Sequence, residues 1–511
     1  MNRYHPLSPT ISIARSAAGE ALRFENEPIM TTPRFVRNSA LLVTVEIMSK
    51  ALGVIFFAVI ARFLGAGEVG LYAFALAVAN FVMIPAKFGF ENLVQRQVGR
   101  EPAWTRRYLR DLSVVKGLIS LGVLGLYGIV LVVAGRKDLS VLLLAAGFTL
   151  MFSFMEFLNA FFRANQRPEF ELAVRLLFSV SNLLLGLLVL YVGWRLPGVL
   201  LVQLLNVTVA GILGAVILVR IAPPGSFCRS WRDLWGYVSA ATPFAGILMS
   251  LYFSNQIGII ILKLFTPTTE VGYFAAALRL FDNLTLIPAA IMGAFLPIMS
   301  QLFVKSVGGF VRTLRFTLKY LFILSVPLAV ILAVLARPIV GFLYGISFLP
   351  SAPALQILSL PLLFSFWNYA CTNVLIARNE ERSLLWLTWL TAGIHITANF
   401  LLIAAFSYLG ACWAILTTQG IFGFILYGLQ IRRYLRVGIL MKLMAAPVLC
   451  GAIMGLTVFL LRDWNLLLAV AIGMLVYGGG VLALGAVSRE EMDRLHTIVA
   501  SGPPEIPEVT G

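Results

Sequence analysis

The sequence is poor in the residue types that most enzymes use for chemistry. Its 511 residues include 3 histidines, 4 cysteines and 23 aspartates and glutamates, and only 12% of them are charged. The cysteines are too widely spaced for a disulfide framework or a zinc knuckle; they are Cys228, Cys371, Cys412 and Cys450. Polar links are short and leave no room for a soluble catalytic domain. We therefore expect no enzyme activity, no metal and no cofactor.

What the chain does contain is about fourteen long apolar stretches. A membrane-spanning helix needs roughly 20 apolar residues. The pattern predicts an all-α polytopic membrane protein with twelve to fourteen spans near 39–61, 70–86, 112–134, 140–161, 172–193, 198–219, 237–262, 271–298, 320–336, 352–376, 384–406, 410–430, 443–461 and 465–487.

The basic residues predict the orientation of these spans. Short links rich in Lys and Arg stay in the cytoplasm. Placing both termini inside puts 28 of the 39 Lys and Arg residues on inner links and 7 on outer links. The net charge of +16 would suggest nucleic acid binding in a soluble chain. Here we interpret it as anchoring beside anionic lipid head groups, and we expect no nucleic acid partner.

An internal repeat divides the chain. The segment Glu68–Leu76 recurs as Glu270–Leu278 at an offset of 202 residues, and Ala164–Arg167 is echoed by Ala377–Glu380 at an offset of 213. Six spans separate the copies, so the repeats are parallel, and such halves commonly face each other across a central cavity. The repeat predicts two six-helix lobes around a cavity, followed by two C-terminal helices.

This reading assigns a boundary to each part of the chain. The predicted parts are a cytoplasmic extension (1–36), an N-lobe with spans 1–6 (37–221), a cytoplasmic link (222–236), a C-lobe with spans 7–12 (237–436), spans 13 and 14 (437–487) and a cytoplasmic tail (488–511). Within the N-lobe, Gly65–Gly70 fits a GxGxxG pattern, but a dinucleotide site needs a strand before it. We interpret these glycines as a tight turn between two membrane helices.

Several segments resemble one family of membrane proteins. They are Ala61–Tyr72, Phe88–Phe90, Gly272–Leu280, Phe342–Gly345 and Leu355–Leu358. Over residues 35–435 the chain resembles the bacterial polysaccharide-unit flippases of the Wzx type. That resemblance implies the MOP superfamily fold shared with MATE exporters and the lipid II flippase MurJ, and a place in the bacterial cytoplasmic (inner) membrane.

The same resemblance implies a substrate and partners. The substrate would be an oligosaccharide carried on undecaprenyl diphosphate, for an O-antigen of lipopolysaccharide, a capsule or an exopolysaccharide. Polysaccharide polymerase or export proteins would be partners, together with membrane lipids.

Seven charged residues interrupt the predicted spans, each costing at least about 2.5–3.5 kcal/mol if left at mid-membrane. They are Glu46, Lys50, Lys116, Glu156, Arg175, Arg279 and Asp282. The pairs Glu46–Lys50 and Arg279–Asp282 each share a helix face and can partly neutralise themselves. Neither pair recurs in the other lobe, which favours a substrate site, although a structural ion pair is the alternative.

A lipid diphosphate needs fixed cations, and the planar guanidinium of Arg suits it. We therefore predict Arg279 first and Lys50 second as phosphate ligands. Asp282 or Glu46 would take up H+ or Na+ when the phosphate leaves. Two further residues on the fourth span would contact sugar hydroxyls or form interhelical hydrogen bonds; they are Glu156 and Asn159.

Other polar residues receive more modest roles. Lys116, Glu171 and Arg175 lie near the cytoplasmic ends of spans, where long side chains reach the interface. Thr391, His395 and Asn399 form a stripe on the eleventh span that predicts either a proton relay or a structural polar contact between helices. Asn255 and Gln256 are further sugar-contact candidates on the seventh span.

These predictions favour a flippase that works by alternating access, with no covalent step. The alternative is a MATE-like ion-coupled multidrug exporter. Its cavity should be acidic or aromatic, and a site for cationic drugs would need unpaired carboxylates. A membrane glycan polymerase or ligase is a weaker alternative, because those enzymes have a large outer loop with essential Arg and His. Here the longest outer segment, Arg337–Ser351, has one Arg and no His.

Overall fold

The structure of the chain is a computed structural model that describes residues 33–135, 137–222, 236–237, 249, 256–435, 437–462 and 465–485. Most of the predicted N-terminal extension, nearly all of the inter-lobe link, the C-terminal tail and Asn255 lie outside these residues. The regular structure of the described part is helical.

The helices are numbered in chain order. In the N-terminal half they are α1 (Pro33–Lys87), α2 (Phe90–Arg100), α3 (Thr105–Val133), α4 (Leu139–Ala164), α5 (Pro168–Tyr191) and α6 (Leu196–Ile221). The described part of the seventh span is α7 (Gln256–Phe265). Then follow α8 (Thr268–Leu284), α9 (Leu286–Lys305), α10 (Val307–Val334), α11 (Ala336–Tyr344), α12 (Ser351–Ala377), α13 (Glu381–Ile415), α14 (Gly423–Ile431), α15 (Val437–Leu461) and α16 (Leu466–Ala483).

Eleven helical stretches in the described residues are long and apolar enough to cross a membrane. Two of them each hold two of the predicted spans, because α1 bends at Gly65 (φ 74°) and α13 bends at Ser407 (φ 56°) without an intervening loop. The predicted polytopic all-α fold is therefore confirmed.

Two span boundaries differ from the sequence prediction. The predicted eighth span, 271–298, is divided at Thr285 into α8 and α9. The predicted ninth span, 320–336, lies mostly in α10, which begins at Val307 and ends at Val334. An apolar run marks the part of a helix that lipid can surround, whereas the backbone hydrogen bonds of a helix continue into water. The basic first turns of α10 were therefore missed.

Left-handed turns confirm the internal repeat. Gln166, at the end of α4, has φ 55°, and Asn379, at the end of α12, has φ 56°. These positions are related by the offset of 213 residues seen in the sequence. Because a non-glycine residue rarely adopts positive φ, the same conformation at both ends indicates the same connection between the fourth and fifth spans of each lobe.

Repeated glycines bring the two lobes into backbone contact at one end of the molecule. A Cβ on Gly70 would lie 1.7 Å from the carbonyl oxygen of Thr268, and one on Gly272 would lie 2.0 Å from the carbonyl oxygen of Ala66. Residues 70 and 272, and residues 66 and 268, are related by the repeat, so the contact is reciprocal. Gly65, with its positive φ, makes the predicted turn, but Gly70 is required for this close approach.

The glutamate of each repeated segment fixes that segment to its own lobe. Glu68 pairs with Arg195 at 2.5 Å, at the start of α6. Glu270 accepts a hydrogen bond from Ser407, at the bend of α13. We call the segments 66–70 and 268–272 the interlobe contact. Each segment is fixed to its own lobe by its glutamate, and the backbone contact between the two segments holds the lobes together at this end.

The last two helices pack against the C-lobe. Tyr477 of α16 donates a hydrogen bond to the carbonyl of Ile323 at 2.8 Å. Gly451 and Gly455 of α15 face Val326 and Val330 of α10. A Cβ on Gly451 would lie 2.3 Å from a methyl carbon of Val326. These glycines therefore permit close packing of α15 on α10.

Candidate functional site

A cavity of about 460 Å³ lies between the lobes, a size typical of ligand sites. Its wall comes mainly from α1, α4 and α5 of the N-lobe, with α7 and α8 contributing from the C-lobe. Most of the described residues predicted to bind the substrate or the coupling ion line it: Glu46, Lys50, Glu156, Gln256, Arg279 and Asp282. Asn159 does not.

Lys50 and Glu46 form the predicted pair on α1, with 3.9 Å between Nζ and Oε1. Their side chains are 46% and 42% exposed, so water weakens this attraction. Glu46 also accepts a hydrogen bond from Arg175 at 3.1 Å. Lys50 is therefore only loosely held by a carboxylate that has a second, closer partner.

Arg175 is the centre of the largest charge network in the described residues. Its guanidinium contacts Glu46, Glu156 at 2.6 Å and Glu171 at 3.0 Å, and its side chain is 15% exposed. Arg163 adds a second guanidinium to the network, with its Nε 3.0 Å from Oε2 of Glu171. The interpretation of Arg175 and Glu171 as interface anchors was wrong, because the sequence shows only the contact four residues apart and not those 19 and 129 residues away.

Lys116 also lies deeper than the sequence suggested. It is 0% exposed, and its ammonium donates to the carbonyl of Ala86 at 2.9 Å and to the hydroxyl of Ser153 at 2.8 Å. The prediction that it reaches the membrane interface was therefore wrong. A buried ammonium is costly unless its hydrogen bonds are satisfied, and these two acceptors reduce that cost.

Arg279 and Asp282 share a helix face and both line the cavity, as predicted. They do not form an ion pair, and across the described parts of the chain Arg279 has no carboxylate within salt-bridge distance. Its guanidinium lies 5.9 Å from the ring centre of Phe57. A Cβ on Gly53 would lie 3.3 Å from its Nη2, so the glycine leaves room for the guanidinium. Arg279 is thus a cavity cation that no carboxylate neutralises directly.

The two predicted sugar contacts on α4 occupy different environments. Glu156 lines the cavity, but its carboxylate is held by Arg175 and, at 3.6 Å, by Arg163. Asn159 is 0% exposed and donates to Glu156 at 3.4 Å, behind the cavity wall. Their role in sugar contact stays a prediction. Asn159 does not line the cavity; it contacts Glu156, which does.

The polar stripe on α13 makes contacts away from the cavity wall. His395 Nδ1 lies 3.0 Å from the hydroxyl of Thr418, which itself donates to the carbonyl of Ala414. The amide nitrogen of Asn399 lies 3.1 Å from His395 Nε2. Since the Thr418 proton is used elsewhere, Nδ1–H donates to Thr418 and Nε2 accepts from Asn399. These contacts fit the structural alternative for the stripe, a polar contact between helices; the relay stays a prediction.

A group of neutral residues was missed by the sequence reading. Phe148, Phe152, Phe178, Asn182 and the hydrogen-bonded pair Tyr72–Gln203 line the N-lobe side of the cavity. Aromatic residues are common in every predicted span, so the sequence gave no signal to separate these from core residues.

Comparisons with known proteins match this architecture. The model of a family described as "Polysaccharide biosynthesis protein" matches residues 35–303. An uncharacterised membrane protein of Methanocaldococcus jannaschii is 24% identical over 391 residues, which are 70% of this chain and 75% of that protein.

Two solved structures show a similar fold. The lipid II flippase MurJ in an inward closed conformation has a TM-score of 0.70 at 15% identity, covering 87% of this chain and 98% of that one. An inward-facing MATE multidrug resistance transporter of the MOP superfamily has a TM-score of 0.62 at 13% identity, covering 80% and 98%. At these identities the likeness establishes the fold only.

Proposed function

Because the chain belongs to the polysaccharide biosynthesis protein family, whose model matches more than half of it, we propose that it flips undecaprenyl-diphosphate-linked oligosaccharide units from the cytoplasmic to the outer leaflet. The observation that carries this proposal is Arg279. It is a cation without a carboxylate partner in the described residues, and it lines a cavity between two lobes of a transporter fold.

Arg279 and Lys50 suit a lipid diphosphate. The planar guanidinium donates two parallel hydrogen bonds to phosphate oxygens, and the nearby ammonium adds a second positive charge. Arg175 also lines the cavity, but it is surrounded by three carboxylates and is therefore a poor phosphate ligand. The phosphates would lie between α1 and α8, and the polyprenyl tail would remain in the lipid.

Movement of the substrate requires the cavity to open alternately to each side. With both termini in the cytoplasm, the interlobe contact lies on the outer side and holds that side closed. Opening it while the opposite ends of the lobes approach would expose the cavity to the outer leaflet. The bonds of the substrate stay intact, so the work of the protein is to replace water around the diphosphate and the sugars.

Coupling to an ion gradient would reset this cycle. Asp282 lies one turn from Arg279 on the cavity wall, and Glu46 shares its carboxylate between Arg175 and Lys50. Departure of the diphosphate leaves these cations without their anion, and uptake or release of H+ or Na+ at the two carboxylates would then compensate. Flux that is independent of both gradients would refute this coupling.

Transport by purified protein in proteoliposomes tests the proposal against the MATE-like alternative. Labelled undecaprenyl-diphosphate oligosaccharide is placed in one leaflet, and its appearance in the other is followed. A cationic dye is tested in parallel with imposed H+ and Na+ gradients. We expect lipid transfer. Gradient-driven efflux of the dye without lipid transfer would identify a drug exporter.

A further inference from the structure

We infer that the N-lobe side of the cavity contains a sugar-binding subsite that is separate from the diphosphate site at Arg279. The inference rests on the proposed function, since it names the residues that recognise the glycan of the same substrate. We call it the sugar subsite and define it by Phe148, Phe152, Phe178, Asn182 and the Tyr72–Gln203 pair.

Aromatic rings form one wall of the sugar subsite. Phe148 and Phe152 of α4 have ring centres 5.9 Å apart, and Phe178 of α5 lies 5.8 Å from Phe152. All three rings are half-buried, pack against the N-lobe core and line the cavity. The negative face of an aromatic ring attracts the positive C–H edge of a sugar ring, so this wall suits a saccharide.

Two polar side chains that line the cavity have a buried oxygen without a hydrogen-bond partner in the described residues. Asn182 lies one helical turn after Phe178, lines the cavity and is 7% exposed, and its buried Oδ1 has no hydrogen-bond partner within the described chain. The hydroxyl of Ser49, on α1, lines the cavity and also has no hydrogen-bond partner within the described chain. An unpaired buried acceptor is costly, and a ligand hydroxyl would satisfy it.

Asn206 is a neighbouring amide that can be compared with Asn182. Asn206 is also 7% exposed, but it does not line the cavity. Its amide accepts from Ser181 at 2.7 Å and donates to the carbonyl of Phe178 at 3.0 Å. Buried amide oxygens without a partner in the described residues also occur away from the cavity, at Asn159, Asn368 and Asn399, so Asn182 is distinguished by lining the cavity beside the aromatic wall.

The charged side chains around the sugar subsite are paired with one another, which favours a neutral sugar over a charged ligand. Most charges bordering this side of the cavity belong to the Arg175 network, in which Glu46, Glu156 and Glu171 are matched by Arg175, Arg163 and Lys50. Lys87, which also lines the cavity, pairs with Glu91 at 3.5 Å. What remains is a wall of aromatic faces, amides and hydroxyls. This is the surface that a neutral, hydroxyl-rich ligand needs, whereas a cationic drug needs an unpaired carboxylate.

Binding to the purified full-length protein in detergent tests the inference. The probes are farnesyl diphosphate and three farnesyl diphosphates that carry glucose, galactose or N-acetylglucosamine, measured by calorimetry. We expect at least one sugar-bearing lipid to bind about tenfold more tightly than farnesyl diphosphate, because it satisfies a buried amide. Asn182→Ala and Phe152→Ala should each remove most of that gain and leave the binding of farnesyl diphosphate unchanged.

Two matched variants separate recognition from folding. Asn206→Ala removes an equally buried amide outside the cavity, and Phe154→Ala removes a ring on the opposite face of α4; both should keep the sugar-dependent gain. If no sugar-bearing lipid binds more tightly than farnesyl diphosphate, or if control and test variants lose the gain equally, the sugar subsite is refuted.

The diphosphate site is judged separately. Arg279→Ala should weaken the binding of all four lipids, and this result would support the proposed function even if the sugar subsite fails. Binding of no lipid by the wild type would overturn both proposals.

Discussion

Adding a single methyl group at Gly70 or Gly272 should open the interlobe contact. A Cβ at these positions would lie 1.7 and 2.0 Å from a carbonyl oxygen of the other lobe, where real contacts are essentially never under 3.0 Å. The obstacle is backbone, which has no rotamer that could move aside. The two segments would therefore have to part by about 1 Å or more.

The expected size of the effect follows from overpacking. Inserting a methyl group into a closely packed contact costs about 1–3 kcal/mol. The cost applies only to the conformation in which the lobes touch at this end, so the variant shifts the population toward the open conformation. A shift of about 1–3 kcal/mol corresponds to about 5- to 150-fold in the equilibrium between the two conformations.

Distances between spin labels measure this shift. Labels at Lys137 and Ile346 report on exposed positions of the N-lobe and the C-lobe, in the links that follow α3 and α11. In Gly70→Ala and Gly272→Ala we expect a longer distance to gain population and transport to slow. Gly67→Ala is the matched control, since its Cβ would meet only a methyl carbon of Thr269 at 3.6 Å. Distance distributions identical to wild type in both test variants, with normal transport, would refute the reasoning.

Three further substitutions test the buried polar groups. Arg175→Leu leaves three carboxylates without their common partner and should lower the free energy of unfolding by about 3–5 kcal/mol. Arg167→Leu, at an exposed pair, is the control and should lower it by about 0–1 kcal/mol. Equal melting temperatures of the two variants would contradict this. Lys116→Met should leave stability unchanged or raise it, because the desolvation of a buried ammonium is avoided; a large loss in chemical denaturation would show that its hydrogen bonds outweigh that cost. His395→Phe should cost about 1–3 kcal/mol by removing the hydrogen bonds of the imidazole to Thr418 and Asn399, with transport retained. Lost transport at normal stability would instead support a proton relay.

The fold was largely predictable because apolar runs and repeated segments can be recognised directly in the sequence. Apolar runs located the spans, and the repeated Glu68–Leu76 segment predicted the two lobes. What could not be predicted was the contact that the repeated segments make. Gly70 and Gly272 each contact the backbone of a segment about 200 residues away, and local composition does not reveal such a contact.

The candidate site was predictable only in part for the same reason. Spacing along one helix correctly placed Arg279 beside Asp282 and Lys50 beside Glu46 on the cavity wall. It could not show that Arg175 gathers carboxylates from three helices, since two of these partners are distant in sequence. Nor could it separate Phe152, which faces the cavity, from Phe154, which does not.

The most direct test of the account is the transfer of labelled undecaprenyl-diphosphate oligosaccharide across proteoliposome membranes by wild type, Arg279→Lys and Arg279→Ala. Arg337→Ala, which removes an arginine that does not line the cavity, is the control. We predict transfer by wild type and the control, slower transfer by Arg279→Lys because the paired donors are lost, and none by Arg279→Ala. Transfer by Arg279→Ala at the wild-type rate would contradict the assignment of the diphosphate to this cation.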